Sequence, residues 1–187
     1  RYVAYLRLHG FRRESAPRNA PPESDLRQRN QLANADEFAR NATTLKTLPP
    51  RLYLESTLKC NFYCKTCTKG YEPYYAEDLR ADIKEQVRNE LMPTNTRISI
   101  TGFGEPTMAK DFNAILQMAL DNGSKVHFVT NASLLNFERL EMLTRVPVEI
   151  PISFDGATKA TFEEIRGGSN FERTLEKLAM IKKIRDV

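Results

Sequence analysis

Residues 51–67 read RLYLESTLKCNFYCKTC, a short apolar strand followed at once by a loop that carries every cysteine of the chain. The apolar and aromatic residues at 52–54 predict a strand over residues 52–56. The three cysteines, Cys60, Cys64 and Cys67, fall within eight residues. Secreted disulfide-stabilised domains use even numbers of cysteines spread along the chain, so this arrangement indicates a reducing compartment and a metal site.

The same alternation of strand and helix continues along the chain. Further strands are predicted at residues 97–101, 126–130 and 148–153, and apolar residues at helical spacing follow each of the four strands. Short connections between alternating strands and helices imply a parallel sheet, either open or curled into a barrel. Four such units are too few for a closed barrel, and we therefore expect a fragment of a longer protein. The helical stripes cover residues 79–91, 112–120, 137–143 and 171–181.

Residues 1–48 differ from the domain predicted at residues 49–187. Turn-forming and proline residues at 15–22 indicate a linker, and a helix is predicted between Ser24 and Pro49. We expect this helix to cover the bottom of the domain, with a docking extension as the alternative interpretation. The apolar residues on which the helix prediction rests are Leu32, Ala35, Phe38, Ala42 and Leu45.

Polar residues suited to ligand binding follow every predicted strand. Cys60 follows the first strand and the segment 102–105, Gly-Phe-Gly-Glu, follows the second. Asn131 follows the third, and residues 153–155 end the fourth. The carboxyl ends of parallel strands share one edge of the sheet, where ligands bind. The sequence therefore predicts one site built from all four strand ends.

The spacing Cys60-x-x-x-Cys64-x-x-Cys67 leaves three interpretations open. Three thiolates on one short loop suit a 4Fe–4S cluster with one iron free of protein ligands, because thiolates hold such clusters. A structural zinc site needs a fourth ligand. His9 lies in the irregular N-terminus and His127 within a predicted strand, so neither histidine supplies that ligand readily. A zinc site completed by sequence outside this chain and incidental cysteines are the alternatives.

The segment Cys60-Asn61-Phe62-Tyr63-Cys64-Lys65-Thr66-Cys67 resembles the CxxxCxφC signature of the radical SAM enzymes. Residues 101–106, Thr-Gly-Phe-Gly-Glu-Pro, resemble the GGE segment of that family, and Thr-Asn-Ala at 130–132 stands where many members have Thr-Asn-Gly. Residues 153–158 and 165–170 are similar to the fourth-strand region of members with a C-terminal SPASM or twitch extension. The resemblance covers about residues 51–187 and implies a partial (βα)6 barrel, an α/β fold, with about four βα units present.

The resemblance also implies cofactors and chemistry. Cys60, Cys64 and Cys67 would each ligate one iron of a 4Fe–4S cluster, and the fourth iron would bind the amino and carboxylate groups of S-adenosylmethionine. Reductive cleavage of S-adenosylmethionine would then yield a 5′-deoxyadenosyl radical that abstracts hydrogen from the substrate. Such chemistry belongs to the cofactors, while the protein binds and orients them.

Further residues acquire expected roles from the same resemblance. The segment Gly102, Phe103, Gly104 and Glu105 would hold the methionine amino group, with the glycines allowing main-chain carbonyls to approach the ligand. Three positions depart from the family pattern without removing a ligand: Thr66, Phe103 and Ala132. The remaining expected cofactor contacts are Ser153 to the ribose, Arg166 to the methionine carboxylate, and Asn131 and Asp155.

Composition limits the partners that we expect. The sequence contains no run of about 18 apolar residues, so it predicts no membrane-spanning helix. The net charge of +4 comes largely from arginines in the first thirty residues. A nucleic-acid partner is therefore not expected. We expect an organic or peptide substrate, a reductant such as flavodoxin or ferredoxin, and a cytoplasmic location. The rival hypothesis is a non-catalytic iron–sulfur or zinc-binding interaction module, which has no need of a methionine-binding segment.

Overall fold

A computed structural model describes residues 25–71, 76–144 and 148–185 of the chain, and its centre is a parallel sheet. The strands in these residues are β1 (Arg51–Leu54), β2 (Tyr63–Cys64), β3 (Arg97–Ile100), β4 (Lys125–Phe128), β5 (Val148–Glu149) and β6 (Arg166–Gly167). The parallel sheet has the strand order β1, β3, β4, β5, and a separate two-stranded antiparallel ribbon pairs β2 with β6.

Helices follow the strands of the parallel sheet along the chain. A π-helical turn (Val87–Leu91) and a 3₁₀ turn (Met92–Thr94) extend the second helix towards β3. Further 3₁₀ turns lie at Thr68–Tyr71 and Pro106–Met108. The α-helices are α1 (Asp25–Ala39), α2 (Ala81–Gln86), α3 (Phe112–Asp121), α4 (Phe137–Thr144), α5 (Lys159–Ile165) and α6 (Phe171–Arg185).

The hydrophobic core lies between one face of the sheet and the helices. Ile98 is paired in register with Leu52 on one side and with Val126 on the other, and Ile100 with Leu54 and Phe128. Successive strand residues point to opposite faces, so these apolar rows all face the helices. The ring of Phe112 on α3 meets that of Phe128 edge-on, with centroids 5.2 Å apart. The predicted α/β fold with four βα units is confirmed.

The N-terminal helix packs in an orientation that the apolar pattern did not predict. It ends at Ala39 and does not reach Leu45, and Phe38 and Leu32 are 84% and 65% exposed. Polar residues face inwards instead: Glu37 is buried and accepts hydrogen bonds from the N–H of Lys46 (2.8 Å) and the hydroxyl of Thr47. The prediction that the helix continues to Pro49 is therefore wrong, and Leu32 and Phe38, which indicated the helix, lie on its exposed face.

The position of α1 follows from its contacts with the elements that precede two strands. It packs against the 3₁₀ turn before β3, and Arg27 donates to the carbonyls of Asn122 and Gly123, just before β4. Both contacts lie at the amino ends of the strands, the edge opposite the predicted site. None of the described helices is both long and apolar enough to cross a lipid bilayer.

A cluster of three aromatic rings positions the chain after the sheet. Phe154 lies 4.7 Å from Phe162 on α5 and 5.9 Å from Phe171 on α6, measured between ring centroids. Gly156, with φ of +137°, lets the backbone pass close to α5, where a Cβ would lie 2.7 Å from the nitrogen of Phe162. The segment containing Asp155 is thus held firmly against both helices.

Two substitutions in α1 test which face of the helix stabilises the fold. Glu37→Ala leaves the N–H groups of residues 46 and 47 and the Thr47 hydroxyl without their acceptor, so we expect a decrease in the urea midpoint. Phe38→Ala changes an exposed ring and should alter the free energy of unfolding by no more than about 0.5 kcal/mol. Equilibrium urea denaturation followed by circular dichroism measures both. A larger loss for Phe38→Ala than for Glu37→Ala would contradict the observed packing.

Candidate functional site

The cysteine loop, defined here as residues 59–67, lies at the carboxyl edge of the sheet and is bonded to the segments that follow β3 and β4. The N–H of Glu105 donates to the carbonyl of Lys59 (2.7 Å). The amide of Asn131 donates to Oδ1 of Asn61 (3.0 Å), whose own amide donates to Ser133. As the parallel order requires, the polar segments after three strands lie together at one edge.

The ribbon of β2 and β6 attaches the cysteine loop to a fourth segment. Cys64 stands opposite Arg166 and Tyr63 opposite Gly167 in an antiparallel pair, and the N–H of Lys65 donates to the carbonyl of Ile165 (2.8 Å). A Cβ on Gly167 would lie 2.4 Å from the Tyr63 ring. The glycine is therefore needed for the close approach of the two strands.

A buried ion pair lies beside the middle cysteine. Arg166 is 8% exposed, and its Nε donates to Oδ2 of Asp155 over 2.9 Å. Its Nη1 lies 3.8 Å from Sγ of Cys64. Burial raises the pKa of the Cys64 thiol, and the Arg166 guanidinium opposes part of that rise. The guanidinium thus favours the thiolate, which is the form that ligates metals.

The three cysteines carry free thiols and are each partly exposed. The N–H of Cys67 bonds to the carbonyl of Cys64 (3.0 Å), which folds the second half of the motif into a turn. Residues 25–71, 76–144 and 148–185 contain no group of three or more His, Cys, Asp or Glu side chains arranged to hold a metal ion. A cubane cluster differs from a single ion in that its thiolate ligands bind separate irons, so they need not converge on one point.

A second ion pair fixes the start of the cysteine loop. Nζ of Lys59 lies 2.7 Å from Oδ2 of Asp78, whose other oxygen accepts from the hydroxyl of Thr57 over 2.7 Å. The hydrogen bonds from Lys59 and Thr57 lower the pKa of Asp78. Asp78 thereby joins the chain before α2 to the residues immediately preceding Cys60.

The glycines of the segment 102–105 pack against the end of β1 and the residues that follow it. A Cβ on Gly104 would lie 2.0 Å from the carbonyl oxygen of Thr57, and one on Gly102 would lie 2.1 Å from Oε1 of Glu55. The N–H of Phe103 donates to the same Glu55 carboxylate. These glycines are predicted to allow the close approach of a ligand, whereas the structure shows a close approach within the chain itself.

Glu105 is only 3% exposed, and its carboxylate is used within the protein. Oε1 accepts from the N–H of Thr107 (3.2 Å) and from the hydroxyls of Thr107 and Thr130 (both 2.6 Å). Oε2 accepts from the N–H of Asn131 over 2.7 Å. The two bonds from Thr107 stay within the segment after β3, and the two from Thr130 and Asn131 join it to the segment after β4. The expected contact of Glu105 with a methionine amino group remains a prediction beside this structural role.

Asn131 and Ser153 lie next to this network. Oδ1 of Asn131 accepts from the N–H of Ser133 (2.9 Å), which closes a turn after β4. Between them Ala132 has φ of +64°, a region that favours glycine and explains the Thr-Asn-Gly of the family pattern. The N–H of Ser153 donates to the carbonyl of Thr130 (2.9 Å), so its half-buried side chain stands at the same edge.

Sequence reasoning missed three residues that shape the site. Glu55 accepts from the N–H of Phe103, Asn61 joins the cysteine loop to the segment after β4, and Asp78 pairs with Lys59. Glu55 carried a usable signal, because it is a carboxylate at the carboxyl end of a predicted strand. Asn61 and Asp78 carried none, since their partners are distant in the sequence.

Comparison with known proteins identifies the fold and its relatives. A family model described as the radical SAM superfamily matches residues 54–186. An AdoMet-dependent heme synthase of Methanosarcina barkeri is 32% identical over 141 residues, covering 73% of this chain and 40% of the relative. The mycofactocin maturase MftC of Mycobacterium ulcerans is 30% identical over 135 residues, covering 70% and 37%. The chain therefore spans about two fifths of the length of these relatives.

Solved structures share the architecture at lower sequence identity. SuiB of Streptococcus suis bound to S-adenosylmethionine gives a TM-score of 0.62 at 18% identity, covering 84% of this chain and 36% of that chain. SuiB bound to the precursor peptide SuiA gives 0.60 at 20% identity, covering 84% and 35%. This likeness shows a common fold and confirms the predicted partial barrel.

The buried carboxylate of Glu105 makes a direct test of the network. In Glu105→Gln the amide nitrogen replaces one oxygen and meets the N–H of either Thr107 or Asn131, because each carboxylate oxygen accepts from a backbone donor. We expect a loss of about 1–3 kcal/mol in the free energy of unfolding of the cofactor-free protein. Urea denaturation measures it, with the exposed Glu176→Gln on α6 as the control. Equal stabilities of the two variants would contradict the network.

Gly104 tests the docking of its segment on the residues before the cysteines. In Gly104→Ala the new methyl group meets the backbone of Thr57 and Lys59, which cannot move aside locally. We expect a loss of about 1–3 kcal/mol in the free energy of unfolding. Gly102→Ala is the matched control, because the nearest neighbours of its methyl group are atoms of the Glu55 side chain, which is more flexible than backbone, so its loss should be smaller. The prediction fails if Gly104→Ala unfolds at the wild-type urea concentration.

Proposed function

Because the chain belongs to the radical SAM superfamily, we propose that it binds a 4Fe–4S cluster through Cys60, Cys64 and Cys67 and reductively cleaves S-adenosylmethionine. The resulting 5′-deoxyadenosyl radical would abstract hydrogen from an organic substrate. The observation that carries the proposal is the position of the three free thiols, which lie on one loop bonded to the carboxyl-end segments of the sheet.

The donor set fits the cofactor chemically. Iron–sulfur clusters are held by thiolates, and three cysteines leave one iron of a 4Fe–4S cluster open to a ligand that is not protein. The guanidinium of Arg166 beside Cys64 favours the thiolate at the centre of the motif. The cysteine loop is hydrogen-bonded to Glu105, Asn131 and Arg166, and these contacts between protein groups support the position of the three thiols.

The bound cluster and S-adenosylmethionine supply the one-electron chemistry, and the chain supplies binding and orientation. Ser153 offers a half-buried hydroxyl that can donate to and accept from a ribose. Arg166 uses Nε for Asp155 and Nη1 for Cys64, and a guanidinium has further N–H groups that suit the methionine carboxylate. Asn131 and Asp155 support these groups by holding the cysteine loop and the guanidinium, respectively.

The methionine amino group needs acceptors, which the segment 102–105 would supply. The Glu105 carboxylate already accepts four hydrogen bonds from Thr107, Thr130 and Asn131. We therefore assign the ammonium contact first to main-chain carbonyls of residues 102–104. Glu105 would position these carbonyls by fixing the segment that follows β3.

Relatives guide the proposal of a substrate class. One is described as a mycofactocin maturase and another as a heme synthase, and SuiB is solved with a precursor peptide. We propose a peptide substrate as in the SPASM or twitch subgroup, with a small organic molecule as the other candidate. The free thiols suit a reducing compartment such as the cytoplasm, and cleavage would need a low-potential donor such as ferredoxin or flavodoxin.

Anaerobic reconstitution tests the proposed cofactor site. The reduced chain is incubated with iron and sulfide, desalted, and analysed for iron content, visible absorption and 5′-deoxyadenosine formed with S-adenosylmethionine and dithionite. We expect about four irons per chain and measurable 5′-deoxyadenosine. Cys64→Ala should reduce the bound iron severely and abolish 5′-deoxyadenosine.

The matched control is Thr66→Ala, which changes an exposed residue of the same loop that is not a proposed ligand. It should take up iron as the wild type does. Tight binding of one zinc per chain, with no iron–sulfur cluster under any condition, would overturn the proposal in favour of a zinc-binding module.

A further inference from the structure

Arg166 and Asp155 form an ion pair beside a cysteine sulfur, a position that binding the carboxylate of a ligand does not require. Arg166 is buried, and its side chain is 10% exposed against 32% for that of Asp155. A guanidinium whose sole role was to bind a ligand carboxylate would not need to contact a cysteine. This guanidinium instead has Nη1 3.8 Å from the sulfur of Cys64 while its Nε is bonded to Asp155.

The pair is held rigidly in that position. The backbone of Arg166 is paired with Cys64 in the β2–β6 ribbon, so the side chain and the sulfur belong to one hydrogen-bonded unit. Phe154, next to Asp155, packs in the aromatic cluster between α5 and α6. Both charges are therefore fixed relative to the sulfur by the fold itself.

Resting on the proposed function, we propose that Arg166 and Asp155 act as positioning residues that set the reduction potential of the iron–sulfur cluster. Reduction transfers one electron from a low-potential donor to the cluster, with dithionite as the donor in the experiment below, and makes the cluster one unit more negative. A fixed positive charge beside a ligating sulfur stabilises this reduced state, and a fixed negative charge destabilises it.

The two charges act in opposite directions but with unequal weight. Arg166 lies nearer the sulfur and is the more deeply buried, so solvent screens it less. Asp155 accepts the hydrogen bond from Nε of Arg166 and so fixes the orientation of the guanidinium. The net effect of the pair is to make the cluster easier to reduce than it would be with the same three cysteine ligands but without Arg166 and Asp155.

Opposite shifts from the two members of the pair are the signature of this electrostatic role. Arg166→Gln removes the positive charge and should make the midpoint potential of the cluster more negative. Asp155→Asn removes the negative charge but keeps an oxygen that accepts from Nε of Arg166, so the guanidinium stays in place. This variant should make the midpoint potential more positive. A purely structural role gives no reason for shifts of opposite sign.

The experiment is a redox titration of the reconstituted chain with dithionite, without S-adenosylmethionine, followed by the electron paramagnetic resonance signal of the reduced cluster. For Arg166→Gln we expect at least a tenfold smaller equilibrium constant for reduction, about 59 mV for one electron. Arg173→Gln and Glu176→Gln are matched controls, because each removes the same charge from an exposed position on α6. Both should leave the midpoint potential unchanged. Arg166→Lys, which keeps the positive charge, should shift the potential less than Arg166→Gln.

Each outcome decides between the hypotheses. Shifts of opposite sign in Arg166→Gln and Asp155→Asn, with unshifted controls, support the inference. Wild-type potentials in both variants, or shifts of the same sign, overturn it while leaving the proposed function intact. If Arg166→Gln takes up no cluster, the sign of the shift in Asp155→Asn decides alone. A wild-type chain that never takes up an iron–sulfur cluster overturns the proposed function and this inference together.

Discussion

The pairing of Cys64 with Arg166 is the interaction on which the arrangement at the carboxyl edge of the sheet depends. The ribbon that contains it has only two residues in each strand, yet it joins the loop after β1 to the segment after α5. Without it the cysteine loop would keep its hydrogen bonds to the segments after β3 and β4 and its ion pair with Asp78, but would lose its backbone attachment to the segment after α5. The same pairing brings a buried cation to a cysteine sulfur, so one backbone contact determines both the path of the loop and its electrostatics.

The remaining attachments of the site are polar, with Glu105 buried and the ion pair of Lys59 and Asp78 partly exposed. Glu105 joins the segments after β3 and β4, and Asp78 holds Lys59 at the start of the cysteine loop. Because buried hydrogen-bonding groups are costly to leave unpaired, such a network has few alternative arrangements. The edge of the sheet is thus organised by the chain's own contacts, and a bound cofactor would need to add few constraints of its own. Catalytic sites benefit from this kind of preorganisation.

The local sequence pattern was sufficient to predict the sheet and its helices but not to predict the contacts between loops. Apolar residues such as Ile98, Ile100 and Phe128 recur with the periods of strand and helix, because each period reflects one buried face. The strands β2 and β6 are too short to show any period. The helix predicted to reach Pro49 ends at Ala39. Its buried Glu37 accepts hydrogen bonds from the N–H groups of residues 46 and 47, contacts that apolar spacing does not record.

In the candidate site, too, the residues at strand ends could be predicted from the sequence, whereas the contacts between distant segments could not. Cys60, Asn131 and Glu105 were found because each follows a predicted strand, and the parallel order of the strands brings such residues to one edge. The partners of Glu105 lie up to 26 residues away, and Asp155 meets Arg166 only after α5 has reversed the chain direction. Contacts of this kind depend on tertiary geometry.

Mössbauer spectroscopy of the chain, reconstituted with isotope-enriched iron, probes most directly whether three cysteines hold a cubane and leave one corner open. Spectra are recorded before and after addition of S-adenosylmethionine. The account predicts about four irons in one cluster, and the isomer shift of a single iron changes when S-adenosylmethionine binds. Four irons that all keep their isomer shifts, or iron bound only as isolated ions, would contradict it.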